Sequence, residues 1–201
     1  MIGDCMMDEK LQKEMLVSQI REEFGRVLYT NVARYKQANQ LLKTDKNMRI
    51  IQIILSVISV SGIIGIVFNT SALQIISAVF SFFLLLVNTI RLNSTDQQKA
   101  QQHRDAAERL WLVREEYKSL LTDIPSLNLE GIRAKRDELQ QRTNKINSNS
   151  PSISDKCYKQ AQKAIKEQGE QSFTDDEIDN LLPESLKVKK HDQLNKDWFL
   201  R

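Results

Sequence analysis

The sequence predicts an all-α membrane protein: a two-helix transmembrane hairpin with long cytoplasmic helical extensions and a small C-terminal helical region. Three observations predict it. Residues 50–90 contain no Asp, Glu, Lys or Arg, although such residues make up 27% of the chain. Six Gly and three Pro are few breakers for 201 residues, as in a chain of long helices. On both sides of the uncharged stretch, apolar residues recur at alternating steps of three and four, the period of one helix face. A net charge of +3 and a negative mean hydropathy would on their own suggest a mildly basic soluble domain, because averaging hides this segregation.

Four segments are expected: a cytoplasmic N-terminal helix over 1–49, the transmembrane hairpin over 50–92, a cytoplasmic continuation of the second membrane helix over 93–125, and a C-terminal helical region with a basic tail over 126–201. Asp4, Asp8 and Glu9 near the start do not read as a secretory signal peptide, so the first membrane segment is expected to direct insertion. Before the membrane, Ile20, Phe24, Val27, Asn31, Tyr35, Ala38 and Leu42 form one stripe. Residues 50–68 and 72–90 are each long enough, at 1.5 Å per residue, to cross a hydrocarbon core of about 30 Å. Asn69, Thr70 and Ser71 leave room only for a tight reversal, and a turn so close to lipid argues against use of the glycosylation sequon they spell. Lys43, Lys46 and Arg49 precede the first span, and Arg91, Lys99 and Arg104 follow the second. By the positive-inside rule both termini are then cytoplasmic.

After the membrane, Ala100, His103, Ala107, Leu110, Arg114, Tyr117, Leu121 and Ile124 keep the helical rhythm with no Pro or Gly from Ala72 to Ile124. An unbroken helix to Pro125 is expected, forming with the first stripe an antiparallel, coiled-coil-like stalk. Further helices are expected over 130–146 and 154–168, separated by the polar break Asn147 to Pro151. Thr174 to Glu177 matches a capping box opening a last helix that would bury Ile178, Leu181 and Leu182 and stop near Pro183.

No glycine-rich phosphate loop, nucleophile elbow or metal-spaced Cys/His set is present, so neither enzymatic activity nor a cofactor is expected. Cys5 and Cys157 are too far apart in sequence for a zinc motif and are expected as free thiols. His103 has two readings, a buried helix-interface histidine or a pH-sensitive group below the membrane. His191 reads as solvent-exposed. Lys187, Lys189, Lys190, Lys196 and Arg201 with Trp198 and Phe199 make a basic tail that Asp192 and Asp197 dilute; docking on its own cytoplasmic domain leads, lipid contact follows, and direct nucleic-acid binding is not expected. The sharper signal lies in the spans. Gln52, Ser56 and Ser59 share one sector of the first helix, with Gly62 beside it, and Gln74, Ser77, Ser81 and Asn88 share one of the second. These seven are candidate pore-lining or interhelical residues, since polar side chains in lipid serve either helix packing or a wetted path.

The hairpin with its flanking helices, the run His103, Ala106, Ala107, Leu110, Trp111, Arg114, Glu115, Tyr117 and Leu120, and the segments Tyr158 to Ala164 and Phe173 to Asp179 together resemble the SLATT domains, two-transmembrane effectors of prokaryotic conflict systems. The resemblance implies an antiphage, abortive-infection effector that opens a pore in the bacterial or archaeal inner membrane; assembly with copies of itself is expected because a lone hairpin would leave Gln52, Gln74 or Asn88 facing lipid. The resemblance also implies a nucleotide-second-messenger synthase, nucleotide sensor or reverse transcriptase encoded nearby. A non-conducting anchor or scaffold for a cytoplasmic partner is the alternative. On the topology stated above, a membrane-impermeant maleimide applied to spheroplasts should miss Cys5 and Cys157 and label a Thr70→Cys variant; strong labelling of the native thiols would refute it.

Overall fold

The computed structural model describes the backbone of residues 2–67 and 71–181, with side chains over 9–60 and 71–181 apart from positions 175 and 179. The described chain is all-helical. Helix α1 (Ile2–Val67) is one unbroken element of 66 residues, about 100 Å long at 1.5 Å per residue. Then come α2 (Ser71–Leu92), α3 (Asp96–Asp123), a 3-10 turn (Ile124–Ser126), α4 (Leu129–Ser148), α5 (Asp155–Gln168) and α6 (Asp175–Leu181). The tight reversal, the basic tail, Leu182, Pro183 and the side chain of Cys5 lie outside the described residues.

Continuity falls on the first membrane-proximal helix rather than the second. The expected unbroken run from α2 to Pro125 is interrupted at Asn93, Ser94 and Thr95. Such side chains compete with the backbone for its own hydrogen bonds and so interrupt helices without Pro or Gly. The Ser94 amide donates to the Arg91 carbonyl at 3.1 Å, closing α2, and the Asp96 amide donates to Ser94 Oγ at 3.3 Å as α3 begins. Asp96 in the first turn of α3 complements the helix dipole there.

The chain divides into two compact units, Met1–Ala161 and Gln162–Arg201. In the first, α3 lies antiparallel along α1 and α4 covers the pair. Leu16, Ile20 and Val27 of α1 meet Leu110, Val113, Tyr117 and Leu120 of α3, Ile124, and Ile132 and Leu139 of α4. Most of the predicted stripes are in this seam or partly buried at its edge, but Leu42 is exposed and the buried face is wider than predicted, with Val32, Ala33, Ala106, Val113 and Leu120 added. Pro125 ends α3, and Asn128 caps α4 by accepting from the Gly131 amide at 2.8 Å.

In the second unit, Gly169 has φ 63°, the left-handed geometry that stops a helix after Gln168. The capping box is present: the Thr174 amide donates to Glu177 Oε2 at 2.8 Å and the Glu177 amide to Thr174 Oγ1 at 3.3 Å. The expectation that α6 buries its apolar side is corrected, since Ile178 is 41% and Leu181 76% exposed. A helix of seven residues orders two turns through its cap but has nothing among the described residues laid over its leucine.

The fold predicts a contrast on α3. Leu110 is fully buried and Leu112 53% exposed. Leu110→Ala should lower unfolding free energy by about 2–5 kcal/mol, and Leu112→Ala by less than about 0.5 kcal/mol, in thermal or denaturant unfolding of the detergent-solubilised protein.

Candidate functional site: the apolar hairpin and its polar neck

Above the core, α2 packs antiparallel on the end of α1. Polar contacts mark the register: Ser77 Oγ donates to the Ser59 carbonyl at 2.6 Å, Arg91 Nη1 donates to Gln52 Oε1, and Arg91 Nη2 sits 3.4 Å from Asp45 Oδ1. Residues rise along α1 as their partners fall along α2. Outside this seam the pair is apolar and bare. Ile53, Ile54, Val57 and Val60 on α1 are exposed, as are Ile75, Val79, Phe82, Phe83, Leu85 and Ile90 on α2. In water so continuous an apolar surface would be costly at about 25 cal/mol per Å², so it is a surface made to be covered. Among the described residues one helical stretch, beginning at Ser71, is long and apolar enough to cross a membrane, with only 6% of its apolar window buried. One such stretch, where two were expected, is what the described residues give.

The predicted site residues divide. Gln52, Ser56 and Ser59 lie half-buried in the seam, and Ser77 is the buried residue of α2. Asn88 is half-buried, with Oδ1 shielded and without a hydrogen-bond partner. Gln74 and Ser81 are exposed on the outer flank. Three hydroxyls bond to their own helix: Ser56 Oγ to the Gln52 carbonyl at 2.9 Å, Ser59 to Leu55 at 2.8 Å and Ser81 to Ser77 at 2.8 Å. The two stripes are therefore not one continuous lining within a single chain. Part joins the helices and part looks outward.

At the neck, Asp45 joins three helices, a role sequence reasoning missed. Its Oδ1 faces Arg91 of α2, and its Oδ2 accepts from Gln97 Nε2 of α3 at 2.8 Å, with Arg49 of its own helix 3.6 Å away. The hydrogen bond from Gln97, with the nearby charges of Arg91 and Arg49, holds its carboxyl below the usual range.

One level down is a buried polar joint. Asn31 Nδ2 donates to the Ala107 carbonyl at 2.6 Å. Arg34, only 3% exposed, donates through Nη1 to the Pro151 carbonyl at 3.2 Å and through Nη2 to Asn147 Oδ1 at 3.0 Å. Gln37 Oε1 accepts from the amide and hydroxyl of Ser154, and Gln40 Oε1 from Cys157 Sγ. Arg34, Gln37 and Gln40 thus fasten the α4–α5 linker and the helix ends beside it to α1, and with Asn31 they recur at steps of three, a polar periodicity of which only Asn31 falls on the apolar stripe. Cys157 is fully buried, so its thiol is shielded from maleimide on either side of a membrane and does not report topology. Burial pulls the Arg34 pKa down, and burial with the Arg34 charge pulls that of His103 down. His103 Nδ1 lies 3.5 Å from Arg34 Nη1, an approach that suits the neutral ring, since a second proton there would face a cation.

Comparison with known protein families returns a two-transmembrane domain. Residues 16–177 match the model of SMODS and SLOG-associating 2TM effector domain family 4. The chain belongs to this SLATT family. The match opens at Leu16, the first buried core residue, and closes at Glu177, so it covers α3, α4, α5 and nearly all of the hydrogen-bonded joints. SLATT membership associates the chain with membranes and with SMODS- and SLOG-linked systems as an effector domain. No curated protein matches the chain, and no solved structure does.

The joint predicts a pH dependence. A histidine whose pKa is depressed by folding is neutral in the folded state, while the unfolded chain takes up its proton near pH 6.5. Stability is therefore full above about pH 6.5 and falls as pH drops through and below that value. Melting temperature should fall between about pH 7.5 and 5.5 in detergent, and His103→Gln should flatten that slope; an unchanged slope would assign it to other groups.

Proposed function

We propose that this SLATT protein is a membrane-disrupting effector whose hairpins cross the inner membrane twice, with both termini cytoplasmic, assemble with copies of themselves, and open a path when a nucleotide-signalling partner activates them. The observation that carries this is the bare apolar surface around the α1–α2 seam, on a hairpin whose outer flank also holds Gln74 and Ser81. Lipid covers the apolar surface, and polar side chains carried on the same flank favour contact with a neighbouring hairpin over contact with hydrocarbon. Asn88, one turn from the neck, has a shielded Oδ1 for which a further subunit can provide a donor.

The anchor reading has an observation of its own. Ser56, Ser59 and Ser81 are satisfied by their own helix and Ser77 by Ser59, as helix packing requires. Depolarisation separates the two. Cells expressing the protein with its neighbouring genes under activating conditions should take up a potential-sensitive dye under the effector reading and keep their potential under the anchor reading. If the flank serves conduction, Ser81→Leu with Asn88→Leu should abolish depolarisation with oligomer size unchanged. If it serves packing, the pair should disperse the oligomer, since such hydrogen bonds in lipid are worth roughly 0.6–2 kcal/mol each.

A further inference from the structure

A long helix can be moved in one of two ways, as a body or about a break. The break between α2 and α3 lies at Asn93 to Thr95, while α1 runs through the same level without interruption. On the membrane side of the break, α2 packs on α1 with Ser77 buried and Leu73, Phe80, Leu84 and Val87 half-buried, and its polar ties there include Ser77 to Ser59 and Arg91 to Gln52. On the other side α3 is anchored by a buried seam that includes Ala100, His103, Ala107 and Leu110. Between these zones the contacts across the neck are polar, and they converge on one residue. Asp45 gives one carboxylate oxygen to Arg91, the last basic residue of α2, and the other to Gln97, in the first turn of α3. Its side chain is 16% exposed and faces inward, whereas Arg49 beside it is 57% exposed and weakly placed at 3.6 Å.

We propose that Asp45 is a latch pin: by bonding α2 and α3 on either side of the break, it fixes the angle of the hinge at Asn93 to Thr95 and holds the hairpin closed against α1. Remove its charge and Arg91 keeps Gln52, Gln97 loses an ionic acceptor, and the angle between α2 and α3 is no longer pinned across the break while α3 stays docked on α1. A hydrogen bond to a charged partner resists such a change more than a neutral one does. The inference rests on the effector reading only for its consequence, a leak; the hinge itself does not depend on it.

The test uses the full-length chain in liposomes, with Cys5→Ser and spin labels at Ala78→Cys on α2 and Glu108→Cys on α3, diluted with unlabelled protein. Both positions are exposed and lie on opposite sides of the break. Pulsed electron resonance reads the hinge, and release of an entrapped dye reads conduction. Asp45→Asn should broaden or shift the distance distribution and raise the open fraction about tenfold. The double exchange Asp45→Arg with Arg91→Asp should restore the narrow distribution. Asp105→Asn, which removes an exposed carboxylate bonded within α3 to Gln101, should leave it unchanged. Gln97→Ala, which frees only the α3 side, provides the same reading should Asp45→Asn not fold. A shifted distance with dye release supports latch and effector together. A shifted distance without release supports the latch and overturns conduction. An unshifted distance in both Asp45→Asn and Gln97→Ala overturns the latch, whatever the dye does.

Discussion

Everything described here hangs on α1. Its residues serve two environments, and no break separates the parts. Over 16–38 it contributes Leu16, Ile20, Val27 and Ala38 to a water-excluded protein core, and over 50–60 it presents isoleucines and valines outward with nothing of the described chain upon them. A helix satisfies its own backbone hydrogen bonds throughout its interior, so it can pass from one environment to the other without a polar penalty at the crossing. The partner helices, α2 above and α3 below, are both placed by their contact with it.

The polar chemistry follows the same division by level. Among the apolar spans the hydroxyls turn onto carbonyls and add little exposed polarity. At the neck, where the surroundings change, the contacts become ionic: Asp45 with Arg91 and Arg49. Below it, in the protein interior, the groups are buried amides and one guanidinium held by neutral acceptors. A buried cation without a carboxylate is held in place by geometry more than by Coulomb attraction, and it defines where the α4–α5 linker must lie.

Much of the fold was legible in the sequence. Apolar spacing located the seam of α1 with α3, and α4, α5 and the capping box of α6 begin within a residue or two of where their signals stand. The helix break was not legible because the reading relied on Pro and Gly, while Asn93, Ser94 and Thr95 interrupt a helix by side-chain competition, a weaker and more context-dependent signal. Nor was the joint of Arg34, Gln37 and Gln40, whose partners lie more than a hundred positions away in a linker that periodicity cannot place. As for the candidate residues, sequence angles put Gln74, Ser77, Ser81 and Asn88 in one sector. Only the crossing of α1 decides that Ser77 turns inward while Gln74 and Ser81 remain outside.

The joint has a mechanical meaning. Arg34 and Ser59 belong to the same unbroken helix, about 38 Å apart along its axis. A helix is stiff in torsion, because turning one residue relative to the next would strain every hydrogen bond of its ladder. Torque applied where the α4–α5 linker grips Arg34 and Gln37 would therefore be passed along α1 toward Gln52, Ser56 and Ser59, where a turn of a few tens of degrees would change which side chains α1 shows to α2. In this sense α1 is a drive shaft, with its key fixed among buried amides at one end and its working face in the apolar hairpin at the other.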